Sequence, residues 1–313
     1  MARQLTLLAG LLARRAALLV VLLAVVFAAV EFLPGDAARS TVDRGSSAEA
    51  VAQRQAELGL DRPVAVRFAH WMTGVPTGDL GRSARGEPVA DIIGAHLPNT
   101  LLLGGLAFAL TVCASLALGC AAALRPGGLR DRTISTTATV ALALPEFVVA
   151  SVLVLVLALW ADLLPAVTTT DDDGWPASPT MLVLPVLALA VAQVGWNTRI
   201  LRAALADEYA APHVDAAICD GLSPWRVLTR HVLPGALPSF AAGAATSVGM
   251  LLGGTVVIET IFNYPGIGTV IAGAVHDRDT PVIAGATAVT GAAIAGVLLL
   301  SDLVRAWATG RRA

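Results

Sequence analysis

No lysine occurs anywhere in the 313 residues; all 21 basic residues are arginine. A phosphate-binding loop of the G-x-x-x-x-G-K-[ST] type needs its lysine to reach the β- and γ-phosphates, so the chain carries no Walker-type ATPase site of its own. Schiff-base chemistry is excluded for the same reason. Charge of either sign is scarce, at 14% of residues, and aromatic residues make up only 5%. Hydrophobic residues account for 56%, with a mean hydropathy of +0.73, more apolar surface than a water-soluble domain can hide in one core. The composition is that of a polytopic membrane protein. A formal net charge of −2 gives no basic face, and no nucleic-acid partner is expected.

The three cysteines, Cys113, Cys120 and Cys219, have no zinc spacing and read as packed core thiols. None of the five histidines belongs to an H-E-x-x-H site, and there is no G-x-S-x-G elbow. No catalytic residue, metal or cofactor is expected.

Six apolar stretches reach the roughly 20 residues a bilayer span requires. They lie near 13–33, 98–123, 134–161, 181–201, 238–260 and 282–304. The first follows Arg14 and Arg15 and lacks a clear A-x-A cleavage site, so it reads as a retained anchor. Arginine clusters in alternate connections: Arg125, Arg130 and Arg132; then Arg199, Arg202, Arg226 and Arg230; then Arg305, Arg311 and Arg312. These sides are expected to be cytoplasmic, as are both termini. The other short loops carry Asp162, Asp171, Asp172 and Asp173, or Asp277, Arg278 and Asp279. Residues 34–97 form a longer polar connection expected outside the cell. There, Ser46 to Glu57 has the pattern of an amphipathic helix with Ser47 at the N-cap, and the rest is rich in glycine and proline.

Pro145 interrupts the third apolar stretch beside Glu146. An intramembrane carboxylate is costly unless it faces water or a partner. Two readings stand: Glu146 lines a polar path, or it bonds a neighbouring helix and fixes packing beside the proline break. Gly249, Gly253 and Gly254 in the fifth stretch, and Gly285, Gly291 and Gly296 in the sixth, read as small-residue faces for close helix packing.

Between the fourth and fifth stretches, EYAAPHVDAAICDGLSPWRVLTRHVLPGALP, from Glu208, does not look like an ordinary loop. Residues 214–220 suit a helix, Gly221 suits the left-handed position after it, and Ser223 with Pro224 restarts a helix to about His231, which Pro234 stops. Ala216 and Ala217 beside the turn make a low helical knob, with Arg226 and Arg230 at its rim. Such a knob either docks in a groove of another protein or packs on its own chain.

DAAICDGLSPWRVLTRHVLP resembles the EAA loop of binding-protein-dependent ABC importer permeases. Asp215, Ala216, Ala217 and Gly221 match the start of that pattern and Leu233 and Pro234 its end; Asp215 stands in place of Glu and His231 at a hydrophobic position. PGD at 34–36, ELGLDRP at 57–63, GDLGRS at 78–83, LPNT at 97–100, LPEF at 144–147, IETIFNYPGIG at 258–268 and RDTPVI at 278–283 resemble the dipeptide, oligopeptide and nickel branch, in that branch's order. The chain departs from it in ending SDLVRAWATGRRA, and in having Ile218, Cys219 and Asp220 where basic residues usually precede the EAA glycine.

The resemblance implies an all-α membrane protein with the six-helix fold of a type I importer permease in the inner membrane. It divides into the first helix at 1–33, the extracytoplasmic segment at 34–97 and a five-helix core at 98–313. The coupling loop falls at about 206–234. Implied partners are ATP-binding cassette subunits, a second permease, an extracytoplasmic solute-binding protein and the lipid bilayer. Asp215, Ala216, Ala217, Gly221, Leu233 and Pro234 would couple transport to ATP hydrolysis on the partner. Glu146, Glu259 and Phe262 would border the translocation path, with Pro265 and Gly266 near its outer mouth. The solute would be a peptide, with nickel or a metallophore complex as the alternative. An ion-coupled secondary transporter is the rival from another class, supported by Glu146 alone.

Overall fold

The computed structural model describes residues 2–32, 47–57 and 62–310. The 34–97 connection is therefore seen in part, and residues 34–36, Ser46, 58–61, Arg311 and Arg312 lie outside the described residues. Among the described residues regular structure is helical, apart from two isolated bridges that pair Arg82 with Pro88 and Thr170 with Pro176. In chain order the helices are α1 (Ala2–Phe32), α2 (Ala48–Glu57), α3 (Val64–Gly74), α4 (Val89–Ala123), α5 (Leu129–Ala143) and α6 (Glu146–Leu153). They continue with α7 (Val183–Tyr209), α8 (Pro212–Cys219), α9 (Pro224–Val227), α10 (Leu233–Ile261), α11 (Ile267–Asp277) and α12 (Thr280–Gly310).

Among the described residues, five helical segments are long and apolar enough to cross a membrane: Ala13–Val30, Val89–Ala123, Pro179–Tyr209, Pro224–Ile261 and Thr280–Leu299. They fall on five of the six stretches expected from the sequence. The sixth, expected as one span over 134–161, is broken. Helix α5 and the continuation of α6 through a π-helical run, Val154–Trp160, meet at 103°. Leu144 is extended there (φ −85°, ψ 126°) and so is Pro145 (φ −60°, ψ 140°). Proline removes a backbone donor and pushes the preceding residue out of the helical region, which is why the turn falls at this dipeptide.

Contacts group the chain into two units. The first holds residues up to Thr100, with Asp172–Trp175 and Pro265–Ala295. Its core joins α1 to α3 and α12. Phe27 packs edge-on against Phe68 at 5.6 Å between ring centres and beside Trp71 at 5.9 Å. The Trp71 indole N–H donates to the Leu80 carbonyl at 2.9 Å, satisfying the polar end of a buried aromatic. Helix α3 lies in the part of the 34–97 connection that is rich in glycine and proline. It forms because Pro63 opens it, accepting from the Val66 and Arg67 N–H groups, and because its aromatic face finds α1. Gly285 faces Val89 and Ile93, and Gly291 faces Leu19, so both serve helix packing as expected.

The second unit holds Leu101–Asp171, Pro176–Tyr264 and Gly296–Ala313. Helix α7 is its centre, packed on α5 and α10. The approach is close at glycines: a methyl group on Gly195 would sit 2.5 Å from the Ala138 carbonyl oxygen, and one on Gly243 would sit 2.7 Å from Ile200. Small residues give apolar helices their close van der Waals contact in a membrane, where burial from water supplies no drive. At the Gly243 crossing, Asn197 donates to Ser247 Oγ at 2.6 Å and to the Gln193 carbonyl at 2.9 Å. The cysteines correct their expected role. Cys113 and Cys219 are exposed on this chain and only Cys120 is partly buried. A small apolar thiol has no need of a core when its helix is surrounded by lipid or by a partner.

Candidate functional site

The segment after α7 is built from local rules. Pro212 occupies the first turn of α8, where its missing N–H costs nothing. At the other end the Gly221 N–H donates to Ile218 O at 3.0 Å and the Leu222 N–H to Ala217 O at 3.3 Å, with Gly221 at φ +75°. This is a Schellman motif, and it needs a left-handed residue at that position. Ser223 is extended before Pro224, as an N-cap residue is, yet its hydroxyl makes no cap bond; the Val227 N–H takes the Ser223 carbonyl instead.

Pro234 does not stop the helix. A π-helical turn, Leu228–Val232, leads straight from α9 into α10, with Pro234 in the first turn of α10. The widened turn accommodates a ring that a regular helix interior would reject.

Helix α8 has two faces. Val214 and Ala217 are buried in a cluster with Val227, Leu228, Val232, Ala236, Phe240, Leu201 and Leu205. Asp215, Ala216, Ile218 and Cys219 face outward, Ile218 at 53% exposure, and Trp225 follows at 61%. Gly221 and Pro234 are exposed and Leu233 is half-buried. The segment is thus seated on its own chain by one face and offers a small-residue, partly apolar face on the other. Of the six expected coupling residues, Asp215, Ala216, Gly221 and Pro234 are open to a partner, and Ala217 belongs to the base.

Beside this segment, Asp131 at the start of α5 is buried and accepts from the Arg202 guanidinium through both Nε and Nη2, the latter at 2.7 Å. It also accepts the Gly127 N–H at 2.8 Å, which ties the 124–128 turn to α7. In the sequence Arg202 shows only as a charge, because a bidentate partner far away in the chain leaves no local signal.

Deeper in the same unit, Glu146 begins α6. Its carboxylate lies against Gly254, where an added methyl group would overlap it, and the Gln193 side chain is close by. Glu259 and Phe262 are fully buried near Tyr264, so neither borders open space in this conformation. Burial, and secondly the Glu259 carboxylate, push the Tyr264 phenol above its ordinary range.

The motifs of the first unit prove to be its hydrogen-bonding ties. Asn99 donates to the carbonyls of Pro265 and Gly174, both at 2.9 Å, and the Thr100 hydroxyl accepts the Ile267 N–H at 2.8 Å. The 97–100 and 258–268 motifs therefore meet at the buried Gly266. Asp279 accepts the Ala84 N–H at 2.6 Å and caps α12 through the Val282 N–H. Burial pushes its carboxyl up, against the pull of those bonds. Arg85 pairs with Asp277 at 3.1 Å on the rim of a cavity of about 690 Å³ that also takes in Glu87, Asp91 and His96.

Comparison with known proteins gives these features their setting. Residues 115–312 match the family described as binding-protein-dependent transport system inner membrane component, and residues 7–104 match the N-terminal part of such membrane components. The chain is 31% identical over 260 residues to a probable peptide ABC transporter permease of Sinorhizobium fredii, across 82% of this chain and 83% of that one. It is 30% identical over 290 residues to the dipeptide transport system permease DppB of Bacillus subtilis, across 92% and 91%. In fold it is similar to a chain of an amino acid ABC transporter (TM-score 0.50, 16% identity, 71% of this chain and 94% of that one). A chain of the inward-facing MetNI methionine ABC transporter matches as well (TM-score 0.50, 17%, 67% and 91%). With membrane-length helices throughout and the family pattern over most of its length, this chain belongs to the binding-protein-dependent transport family, as an integral inner-membrane permease component of an ABC importer.

Proposed function

We propose that the chain is the permease for a peptide, carrying short peptides inward when ATP is hydrolysed on partner subunits that dock on α8 and α9. One observation carries the docking reading: α8 buries Val214 and Ala217 against its own chain while Asp215, Ala216 and Ile218 stay exposed beside the Gly221 turn. A helix anchored on one side and bare on the other is suited to take a push from a partner and pass it to α7 and α10. The peptide reading rests on relatives named as peptide and dipeptide permeases over more than four-fifths of the chain.

In this reading the side bearing α8 is cytoplasmic, together with both termini, as the arginine distribution supports. A second permease completes the path, and the two rock as the ATPases close and open. The cavity bordered by Arg85 and Asp277 lies on the outer side, where a solute-binding protein delivers the peptide. Glu146, Glu259 and Phe262 come to border the path when the helices part.

The test is purification from the native membrane in mild detergent, followed by reconstitution into vesicles. Recovery of an ATP-binding subunit and a second permease, with uptake of labelled dipeptide that requires ATP and the binding protein, is the expected result. Uptake of nickel in preference to dipeptide would reassign the solute. A chain that purifies alone and moves solute on a proton gradient without ATP would overturn the reading.

A further inference from the structure

Glu208, in the last turn of α7, reaches two other elements at once. Its carboxylate lies over Gly235 in the first turn of α10, so close that a methyl group there would overlap the carboxyl carbon and both oxygens. Its Oε1 is 3.7 Å from Nε2 of His213, in the first turn of α8. The same His213 nitrogen lies 3.1 Å from the His231 carbonyl, an acceptor, so Nε2 carries the proton and faces two acceptors. One carboxylate and one imidazole thus join α7, α8, the π turn and α10.

Their energetic worth is small. Glu208 and His213 are 27% and 53% exposed, and a pair so open to solvent adds little to stability. Their position matters more. Helix α8 is only eight residues long and is seated by two side chains on one face, Val214 and Ala217. A force on its exposed face would roll it about that seat unless something at its edge resisted. Among the described residues, His213 makes the one side-chain hydrogen bond from α8 to a neighbouring element. Glu208 backs it, and the Gly235 notch lets the carboxylate sit low enough to do so.

We infer that Glu208, His213 and Gly235 form a clamp that makes α8 and the two spans flanking it one rigid lever, so that these three are positioning residues for energy coupling. The inference rests on the coupling reading of α8 given above. Gly235→Ala displaces the carboxylate at little cost to the fold, because what the added methyl group meets is the movable end of a side chain.

The test uses the whole importer, reconstituted with its ATP-binding subunits, second permease and binding protein, and the probe is labelled dialanine. The quantity read is ATP hydrolysed per dialanine imported. Glu208→Ala and Gly235→Ala should each raise that ratio roughly threefold or more, the scale set by losing a half-exposed pair together with a packing contact. The amount of ATP-binding subunit that co-purifies should not change. The double variant should be no worse than Glu208→Ala alone, since both remove one contact. Glu208→Gln keeps the shape and should hold the ratio near that of the parent. An unchanged ratio in both single variants, or loss of assembly in both, would overturn the clamp and leave the permease reading standing. Failure of the parent complex to import dialanine with ATP would overturn both.

Discussion

The carboxylate of Glu146 is wedged against Gly254, and the Gln193 side chain approaches it from a third helix. The acid that follows the proline break is therefore the point where α6, α7 and α10 meet. An intramembrane carboxylate with a neutral polar neighbour can fix packing and still be free to meet a cationic group when the helices part.

Glu146→Gln separates these roles, because it keeps the size and hydrogen bonding but removes the charge. Assembly of the importer should be unaffected while uptake of a dipeptide with a free amine slows. Unchanged uptake would assign Glu146 to helix packing alone. Gly254→Ala should lower stability by about 1–3 kcal/mol through overpacking, read as a fall in the thermal midpoint of the purified protein.

Gly221 has open space around its α-carbon but a φ of +75°. A β-branched residue is strained there whatever the room, at about 1–2 kcal/mol. Gly221→Val should abolish ATP-driven uptake while membrane insertion stays intact. Gly221→Asn, which tolerates the left-handed region, should keep most of it. Parental uptake by the valine variant would count heavily against the coupling role of this turn.

Arg202→Leu leaves the buried Asp131 carboxylate without its fork of donors. Because Arg202 is itself 40% exposed, the expected loss is nearer about 1–3 kcal/mol than the larger cost of breaking a fully buried pair. Asp131→Asn should cost less, since no charge is left stranded. Thermal unfolding of the two variants side by side gives the order.

Burial raises the carboxyl of Asp279 in the folded protein, so the fold holds that proton more tightly than the unfolded chain does. The sign follows from linkage: its contribution is fully present below the ordinary value near 3.8 and is lost as pH rises through the raised folded value. In unfolding scans taken from about pH 3.8 upward, Asp279→Asn should remove that part of the pH dependence. An identical pH slope in the variant would refute the assignment.

Much of this was legible beforehand. Membrane spans need only length and hydropathy, and five of the six fell where the apolar stretches lay. The Gly221 turn could be read because a left-handed residue after a helix is a local demand that glycine meets, and Pro212 and Pro224 mark helix starts for equally local reasons. The motif at 97–100 stood out as a family mark, but nothing near Asn99 in the chain announces that it binds the carbonyls of Pro265 and Gly174.

Local chemistry in the sequence is enough to assign the membrane as this protein's solvent, to place five of its spans, and to mark the helix starts at Pro212 and Pro224 and the turn at Gly221. Each depends on a residue and its immediate neighbours. Tertiary structure alone decided what distant residues do to one another: the 103° turn after α5, the passage of the helix through Pro234, the wedge of Glu146 at Gly254, and the clamp of Glu208 over Gly235. A proline or glycine states what its own backbone tolerates. Which helix comes to lie against it is set by packing across the whole chain, and no local pattern records that.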